Sequence, residues 1–497
     1  MKKEKGKVYL VGSGPGDPDL ITLKAIEALK KADVVLYDYL SHPSLLSYVS
    51  SFAVCICVGK KKDFHSKKQW RINQIMLKFA RQGKRIVRLK GGDPVVFGRG
   101  GEEMDFLRKY EIPYEVIPGV TSAFAVPIYS GIPITYRRLS RTAAILTGTF
   151  KKGSAIAALK IPEVDTLIIL MGVTHLESLV LKIASSKGFS LKTPAALLYR
   201  GTTAEEKKIV GTLATIVQQQ RDANISPPAI LMVGQVVKVS KKLEWRNALP
   251  LSKTRIVLLR ERQRAWEWAS AFSELGAEVV IFPLLETRLF KKNSLKLTPQ
   301  WLSQFDDVVF TSKTAVRFFM DALLANGGDS RTLAGKRLLA IGEGTEATLN
   351  QAGLRADSIA KESRGEGVVD LFPQDCERRR VLYPAAKGAR GVIESELRKK
   401  GARVTRFLLY KTARSKSKTF LVLKEGDIVI FTSPSTVDHF IQSGIWQNQA
   451  IIPVCLGPVT LARVQKYGMG TPVLCEKPTL QAAVSSVLSF LNSKKTF

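Results

Sequence analysis

The stretch VYLVGSGPGDPD (8–19) decides how the beginning of the chain folds. Its apolar start predicts a buried strand, and the glycine-rich segment GSGPG (12–16) predicts a tight loop. Asp17 followed by Pro18 predicts a helix start, because an aspartate accepts hydrogen bonds from free amides there and proline fits the first turn. A strand, a glycine-rich loop and a helix in this order are typical of proteins that hold a nucleotide-like ligand.

The loop lacks the features that bind a phosphate. It matches neither GxGxxG nor GxxxxGK[ST], and Pro15 has no amide hydrogen to offer a phosphate oxygen. Asp17 and Asp19 would repel a phosphate group. Because glycine lets the backbone approach a ligand closely, the loop predicts a site for a neutral or cationic ligand.

The composition indicates a globular protein of more than one domain. The chain has 497 residues, of which 45% are hydrophobic and 24% charged, whereas a single core stops growing at roughly 250–300 residues. The net charge of +33 has three competing explanations: a nucleic-acid partner, a polyanionic substrate, or a lysine-rich surface. Because the basic residues are spread along the whole chain, charge alone does not choose among them.

Cysteine usage and hydropathy indicate a protein of a reducing compartment. Cys55 and Cys57 alternate along FAVCICV (52–58) and are predicted to be buried in a strand; without a CxxC pattern or clustered histidines, they predict no metal site. The apolar run after MKKEKGK (1–7) is too short for a signal peptide, and no stretch approaches the ~18 apolar residues of a membrane span. We therefore expect a soluble, cytoplasmic protein without a membrane partner.

Apolar runs that end in glycine or a turn residue alternate with helix-length segments along the chain. This alternation predicts an α/β protein with mainly parallel sheets. Irregular, proline-containing segments near 118 and 132–134 divide the first domain, 1–245, into two lobes. Residues 246–253 are predicted to form a linker, and a second α/β pattern begins at 254.

The second half contains an internal repeat. FDDVVFTSKTAVRFF (305–319) matches GDIVIFTSPSTVDHF (426–440), and LLAIGEGTEATLNQAGL (338–354) matches IPVCLGPVTLARVQKYGM (452–469). Each copy predicts a strand, a Thr-Ser turn, a helix, a second strand and a GxxT turn. Two such lobes facing each other would place paired Ser/Thr turns across a cleft. Doubly wound units resemble each other in general, but the matched order and spacing favour a true repeat.

The segment RLKGGDPVVFGRGGEE (88–103) contains a second glycine-rich site. Five glycines lie within eleven residues around Asp93 and Arg99. So much glycine costs chain entropy, which favours a close approach of this backbone to a ligand.

With VYLVGSGPGDPDLITLKA (8–25), IPGVTSAFAVPIYSGIPITYRR (117–138) and TPAALLYRGT (193–202), this segment makes residues 7–245 resemble the uroporphyrinogen-III C-methyltransferase family of tetrapyrrole methylases. The resemblance implies a two-lobed domain that holds S-adenosyl-L-methionine in a cleft without binding a phosphate. The residues implied to bind this cofactor are Pro15, Gly91, Gly92, Asp93, Val96, Thr121, Ser122, Met171 and Gly201.

The resemblance also implies the residues that carry the chemistry. Methyl transfer is an in-line displacement, and one base helps by taking a proton from the tetrapyrrole carbon. The implied base is Asp38, its partner acid is Lys60, and Arg99 is implied to anchor a substrate carboxylate. Without the resemblance, Asp38 would be a turn residue at a strand end and Lys60 one of a run of solvated lysines.

Residues 254–493 resemble uroporphyrinogen-III synthase through the two FTS turns, the two GxxT turns and LYPAAKGARGVIESELRKKGARVTRFLLYKT (382–412). The resemblance implies a two-lobed synthase-like domain, with one lobe formed by 254–285 and 413–493 and the other by 298–405. The implied reaction closes hydroxymethylbilane into a ring, with inversion of ring D.

Hydroxyl groups are the predicted substrate ligands of this second domain. Ser312, Thr345, Ser433 and Thr460, one pair in each lobe, are predicted to hold substrate carboxylates. Tyr410 is implied to assist departure of the substrate hydroxyl. The alternative for each serine or threonine is that it only caps a helix.

The sequence therefore predicts a bifunctional enzyme of sirohaem or cobalamin biosynthesis. The C-terminal half would make uroporphyrinogen III, and the N-terminal half would methylate it at C2 and C7 to give precorrin-2, as a homodimer. One alternative is a C-terminal half that only binds or scaffolds a tetrapyrrole. A basic nucleic-acid-binding protein is far less favoured, because no nucleic-acid motif is present; a positive field would also concentrate polycarboxylate substrates.

Overall fold

The computed structural model describes residues 5–50, 52–59, 69–149, 156, 159–362, 364–389, 391–415 and 421–495. The predicted α/β class is confirmed, since the described residues form four β-sheets with helices between the strands. The chain divides into two compact units, one formed by 1–284 with 416–497 and the other by 285–415. No helix within the described ranges is long and apolar enough to cross a membrane.

A five-stranded parallel sheet forms the first lobe. Its elements are β1 (Val8–Gly12), α1 (Leu23–Lys31), β2 (Val34–Tyr37), β3 (Val54–Cys57), α2 (Gln69–Arg81), β4 (Ile86–Lys90), α3 (Gly100–Lys109), β5 (Tyr114–Ile117) and α4 (Ser122–Tyr129). The strand order is β3-β2-β4-β1-β5. Every residue of the central strand β4 is buried, as expected for a parallel strand covered on both faces.

The predicted helix start after the glycine loop takes two steps. Asp17 caps a single 3-10 turn, Pro18–Leu20, by accepting a hydrogen bond from the Asp19 amide at 2.9 Å. Thr22 then caps α1 by accepting from the Ala25 amide at 3.2 Å. Each cap satisfies an amide that has no partner within its own helix.

The second lobe contains a mixed sheet. Its elements are β6 (Ala143–Thr147), β7 (Thr166–Leu170), α5 (Leu176–Ala184), β8 (Pro194–Tyr199), β9 (Lys207–Thr212), α6 (Ile216–Asp222) and β10 (Ala229–Gly234). In the order β6-β7-β10-β8-β9, the β6–β7 pair is parallel and the other described pairs are antiparallel. This lobe departs from the predicted parallel pattern because β8 returns directly as β9 through a short turn, and such a connection requires antiparallel strands.

The third sheet is parallel and comes from two separate stretches of chain. Its elements are β11 (Arg255–Leu258), α7 (Arg262–Glu274) and β12 (Glu278–Ile281), followed much later by β19 (Ile428–Phe431), α14 (Pro434–Gln442), β20 (Ile452–Cys455), α15 (Pro458–Lys466), β21 (Val473–Leu474) and α16 (Leu480–Lys495). The strand order β12-β11-β19-β20-β21 leaves β12 at an edge. Leu251, from the predicted linker, is buried in the core of this lobe.

The fourth sheet makes up the inserted unit, 285–415. Its elements are β13 (Leu285–Leu289), α8 (Lys291–Ser294), α9 (Pro299–Leu302), β14 (Asp307–Phe310), α10 (Lys313–Ala325), β15 (Arg337–Ala340), α11 (Glu343–Gln351), β16 (Ser358–Ile359), α12 (Gly365–Val369), β17 (Arg380–Ala386), α13 (Val392–Lys399) and β18 (Arg403–Arg414). The order is β13-β18-β17-β14-β15-β16, with β13 antiparallel to β18 and the other described pairs parallel.

The predicted internal repeat is confirmed at the level of helix caps. Ser312 caps α10 and Ser433 caps α14, and each serine oxygen accepts from the amide three residues later, at 3.0 and 3.3 Å. Gly342 and Gly457 occupy the corresponding positions before α11 and α15. The two copies therefore share the same order of strands, helices and cap residues.

The prediction that Cys55 and Cys57 are both buried is wrong. Cys57 is exposed and Cys55 is partly exposed, because β3 is an edge strand of the first sheet. Cys376, Cys455 and Cys475 are buried. Burial raises the pKa of the Cys455 thiol to about 12, so this thiol carries almost no thiolate near neutral pH.

This difference in exposure predicts selective alkylation. In the native protein, iodoacetamide should modify Cys57 first and leave Cys376, Cys455 and Cys475 unmodified until the chain is unfolded. Peptide mass spectrometry after a time course, with a denatured sample as control, measures the order. Native labelling of Cys455 at the rate of Cys57 would contradict the burial described above.

Candidate active site

The glycine loop (12–16) and the GGDP segment (91–94) are joined through their backbones at the carboxyl edge of the first sheet. The Gly14 amide donates to the Gly92 carbonyl at 3.2 Å, and the Gly92 amide donates to the Gly14 carbonyl at 2.7 Å. Gly92 has a φ of 65°, which favours glycine. A Cβ at Gly12 would lie 2.6 Å from the Gly92 oxygen. Ligands of open α/β sheets bind at this edge.

Asp93 holds the turn that follows the GGDP segment. One of its oxygens accepts from the amides of Val95 and Val96, at 2.9 and 3.2 Å, and the other accepts from the Gly119 amide at 3.2 Å. An ionised carboxylate has about four acceptor sites. Asp93 therefore organises the loop and retains acceptor capacity for a ligand hydroxyl or ammonium group.

The start of α4 borders the same edge. Thr121 caps this helix by accepting from the Ala123 amide at 3.3 Å. A Cβ at Gly92 would lie 3.6 Å from the Ser122 nitrogen and 3.8 Å from the Thr121 Cα. The structure thus brings Gly92, Thr121 and Ser122 together, as the cofactor prediction requires.

The second lobe reaches the glycine loop through the turn 200–206. Met171 and Gly201 follow β7 and β8, which both run antiparallel to β10 and so end at the same edge of their sheet. Met171 is 49% exposed. A Cβ at Gly201 would lie 2.3 Å from Val126 of α4, and the Thr202 hydroxyl accepts from the Asp17 amide at 3.0 Å. The turn therefore packs directly on the first lobe.

The residues at this junction fit a cationic cofactor. Pro15 and Val96 are half-buried beside the glycines, and none of the implied cofactor positions carries a basic side chain. The hydroxyls of Thr121 and Ser122, the Asp93 carboxylate and the glycine carbonyls supply acceptors. These groups suit the ammonium and hydroxyl groups of S-adenosyl-L-methionine and would not repel its sulfonium centre.

A buried ionic network, which the sequence analysis missed, lies next to Asp38. Arg88 places Nη1 2.7 Å from Asp38 Oδ1 and Nε 3.2 Å from Glu103 Oε1. Lys90 Nζ lies 3.0 Å from Glu103 Oε2. The Glu103 side chain is fully buried, whereas that of Asp38 is 27% exposed. The network therefore orients Asp38 and leaves it accessible.

The buried strand β4 contained the signal for this network. Arg88 and Lys90 are two residues apart in a strand and so lie on one face. Two cations on a fully buried strand require anionic partners nearby. Burial lowers the pKa of Lys90, and the charge of Arg88 lowers it further, against the opposing effect of Glu103. Glu103 pairs with both cations and Asp38 pairs with Arg88, so these two carboxylates compensate the buried positive charges.

Arg99 lies in a different environment from Asp38. It adopts a φ of 60° just before α3, and its side chain is 55% exposed. Its Nε donates to Glu102 Oε1 at 2.9 Å. An exposed guanidinium suits contact with a substrate carboxylate, and this role stays a prediction. Lys60, the implied partner acid, falls outside the described residues.

The inserted unit brings two of the predicted synthase residues together. The Ser312 hydroxyl and the Tyr410 hydroxyl are 2.8 Å apart. Ser312 also caps α10, so its oxygen is held by the Ala315 amide. The Tyr410 ring is largely buried and packs against Phe318, with ring centroids 5.6 Å apart. Ser312 thus acts as a cap and as a partner of Tyr410.

The other predicted hydroxyl residues occupy helix starts. Thr345 and Thr460 are buried in the first turns of α11 and α15, and each donates its amide to the capping glycine three residues earlier. The Ser433 hydroxyl lies 2.9 Å from the Thr436 hydroxyl. Ser433 agrees with the helix-capping alternative, whereas Thr345 and Thr460 do not, because glycines cap α11 and α15 without a side-chain hydrogen bond. The substrate-binding role of all three stays a prediction.

Removing the charge of Glu103 from the buried network should lower the free energy of unfolding strongly. Glu103→Gln leaves Lys90 without its anionic partner, and removal of one member of a buried ion pair costs about 3–5 kcal/mol. Glu102→Gln is the matched control, because the neighbouring Glu102–Arg99 pair is exposed and such pairs contribute about 0–1 kcal/mol. Urea unfolding followed by circular dichroism measures both. Equal unfolding midpoints for the two variants would contradict the importance of the network.

Comparison with known proteins identifies both halves. Residues 7–217 match the model for Tetrapyrrole (Corrin/Porphyrin) Methylases, and residues 267–485 match that for Uroporphyrinogen-III synthase HemD. The porphyrin biosynthesis protein HemD of Ruminiclostridium josui is 34% identical over 496 residues, 98% of each chain. The uroporphyrinogen-III C-methyltransferase of Methanocaldococcus jannaschii is 49% identical over 237 residues, 47% of this chain and 98% of that protein.

A solved uroporphyrin-III C-methyl transferase from Thermus thermophilus, complexed with S-adenyl homocysteine, is 38% identical, covers 47% of this chain and 100% of that one, and has a TM-score of 0.40. The match to the Ruminiclostridium josui protein extends over nearly the full length of both chains. The chain therefore belongs to the family of porphyrin biosynthesis proteins that join a tetrapyrrole methylase to a uroporphyrinogen-III synthase HemD domain.

Proposed function

We propose that the chain is a bifunctional enzyme that converts hydroxymethylbilane into precorrin-2. The C-terminal half closes the linear tetrapyrrole with inversion of ring D to give uroporphyrinogen III. The N-terminal half then methylates this product at C2 and C7. The observation that carries the methylase assignment is the junction of the glycine loop, the GGDP segment and the start of α4 at one sheet edge, without a basic side chain at the implied cofactor positions.

S-adenosyl-L-methionine supplies an electrophilic methyl group when bound. The residues proposed to hold it are those of the junction, with Met171 and Gly201 from the second lobe. The protein contributes position and exclusion of water, since methyl transfer needs the reacting atoms in line and the site dry. Asp93 and the glycine backbone are preorganised for this purpose by the hydrogen bonds they make.

Asp38 is the proposed base for the substrate carbon. Buried Arg88 holds its carboxylate at 2.7 Å, so the orientation of Asp38 is set before substrate binds. The remaining exposure of the side chain allows it to reach a bound tetrapyrrole. Arg99 is proposed to bind a substrate carboxylate, and Lys60 to act as the partner acid.

Replacing the proposed base tests the methylase half. Asp38→Asn should lower kcat for methylation of supplied uroporphyrinogen III by about 10²–10⁴-fold, the usual contribution of a general base, while S-adenosyl-L-methionine still binds. Asp33→Asn is the control, because Asp33 precedes β2 whereas Asp38 follows it. The Asp33 carboxylate accepts a hydrogen bond from the Arg85 amide, and the side-chain oxygen of asparagine can accept the same bond. Initial rates and isothermal titration calorimetry measure the two effects. An unchanged kcat for Asp38→Asn would remove Asp38 as the base.

Tyr410 and Ser312 are the proposed polar groups of the cyclisation. Departure of the substrate hydroxyl is easier when a hydrogen bond is donated to it. The Ser312–Tyr410 contact orients the phenol, and the cap of α10 orients Ser312 in turn. Thr345, Ser433 and Thr460 are proposed to hold substrate carboxylates, together with backbone amides at the helix starts.

The cyclisation is tested with freshly prepared hydroxymethylbilane in the absence of methyl donor. The native chain should form the type III isomer, and Tyr410→Phe should slow this by about 10- to 100-fold. Tyr383→Phe, which alters another buried tyrosine of the same lobe, should have little effect. Separation of the type I and type III isomers by chromatography gives the rates. Type I product alone from the native chain would indicate a C-terminal half that only binds or scaffolds a tetrapyrrole.

We also infer a homodimer formed through the methylase half and a location in the cytoplasm. The first inference rests on the resemblance, and the second on the hydropathy of the sequence. The strong positive charge of the chain, +33, is proposed to raise the local concentration of the polycarboxylate substrates.

A further inference from the structure

The first compact unit joins the methylase half to the lobe that contains the third sheet. β12 is an edge strand of that sheet, and it faces a 3-10 helix of the methylase half, Pro43–Tyr48. The Ser44 hydroxyl donates to the Val279 carbonyl at 3.3 Å and accepts from the Ile281 amide at 3.1 Å. A side chain of the methylase half thus occupies the place of a neighbouring strand.

Glu278, at the start of β12, binds two different parts of the methylase half. Its Oε2 accepts from the Ala204 amide at 2.7 Å. Its Oε1 lies 3.4 Å from His42 Nε2. The Ser44 amide donates to His42 Nδ1 at 3.3 Å, so Nδ1 is the acceptor of the ring and Nε2 is the nitrogen on the Glu278 side.

These two contacts fall on loops that belong to different lobes of the methylase. The first is the Asp38 loop (38–48), which follows β2 and contains the proposed base. The second is the turn 200–206 between β8 and β9, which contains Gly201. The two loops border the proposed methylase site, and the second reaches the glycine loop through the contact of Thr202 with the Asp17 amide. One carboxylate from the synthase half therefore bridges both lobes.

The bridge is buried and charge-compensated. The side chains of Glu278 and His42 are 7% and 5% exposed. Arg255, from the adjacent strand β11, places Nε 3.2 Å from Glu278 Oε1 and Nη1 2.8 Å from Asp427 Oδ2. Burial raises the pKa of Glu278, but the nearby His42 imidazole, the charge of Arg255 and the hydrogen bond from the Ala204 amide together hold it well below its usual value.

A second ionic contact lies beside the bridge. Glu205, adjacent to Ala204 in the turn, pairs with Lys424 of the synthase half and with Arg200 of its own turn. The turn is thus attached to the synthase half at two neighbouring residues, at Ala204 through Glu278 and at Glu205 through Lys424. The turn is therefore fastened to the synthase half more firmly than a single contact would allow.

We propose that Glu278 is a positioning residue for methylation: from the synthase half, it sets the distance between the Asp38 loop and the turn 200–206 of the methylase half. The proposal rests on the proposed methylase function. Because loss of about 1 Å in the placement of reacting groups lowers rates by up to about 10²-fold, removing the bridge impairs methylation without altering any residue proposed to contact substrate or cofactor.

The test uses the full-length chain and supplied uroporphyrinogen III, so that the synthase reaction is not required. Glu278→Ala should raise KM for S-adenosyl-L-methionine and lower kcat, with a combined loss in kcat/KM of about 10-fold or more. Glu278→Gln should be intermediate, because its amide oxygen still accepts from Ala204 whereas its uncharged amide group faces His42 Nε2. Asp427→Asn is the control, since Asp427 belongs to the same Arg255 cluster, and the groups it pairs with, the Arg255 guanidinium and the Lys424 amide, both lie in the synthase half.

Hydrogen exchange supplies a readout that does not depend on activity. In Glu278→Ala, the Ala204 amide should exchange about 10-fold or more faster, as expected when a charge-assisted hydrogen bond is lost, and protection should fall in both loops. Asp427→Asn should lower the unfolding midpoint and leave exchange at Ala204 and methylation kinetics near native values. Native kinetics and native exchange in Glu278→Ala would overturn the proposal, as would equal kinetic losses in both variants. If the native chain does not methylate, the proposed function fails, and exchange at Ala204 and in both loops still decides whether Glu278 positions them.

Discussion

The close approach of three chain segments at the carboxyl edge of the first sheet constrains the rest of the methylase half. Cβ atoms at Gly12 and Gly119 would lie 2.6 and 2.4 Å from the same oxygen, that of Gly92. Real Cβ atoms do not come so close to a backbone oxygen, so each segment must be glycine where it meets the others. Once the segments meet, backbone hydrogen bonds between Gly14 and Gly92 tie the loops together. The edge then presents backbone and short side chains to a ligand.

The charges of the site follow from this arrangement. A junction built from glycine offers no side chain to hold a base, so orientation of Asp38 has to come from the neighbouring strand. Arg88 supplies it from a buried position on β4, and a buried arginine needs Glu103 as a second partner. Glu103 lies in the first turn of α3, where the helix dipole favours an acidic residue. The helix that follows the second glycine segment thus balances the charge beneath the proposed base.

Local patterns predicted the parts of the fold that depend on local physics. Strand periodicity, glycine loops, caps and the repeat were visible because each depends on residues close in sequence, such as Ser312 and Ala315. The mixed second sheet was missed, since the direction of β9 depends on how β8 returns rather than on its apolar pattern. The exposure of Cys57 was missed because an edge strand and a central strand can have the same pattern of apolar residues. Arg88 and Lys90 on the buried strand β4 signalled a need for anions, but their pairing with Glu103 depends on how α3 packs on the sheet. The contact between Glu278 and Ala204 joins residues 74 positions apart, so it has no local signal.

Fusion of the two halves lets individual polar contacts form between them, such as those of Ser44 with β12 and of Glu278 with Ala204. Two separate proteins would need a sizeable interface to offset the entropy of association, whereas segments of one chain meet at a high effective concentration. Ser44 satisfies the open edge of β12, which would otherwise offer unpaired backbone groups to other strands. Glu278 is then free to position the Asp38 loop and the turn 200–206, because the covalent link already keeps the two halves together. On the two proposals together, the synthase half supplies the substrate and also forms part of the frame that positions the methylase loops.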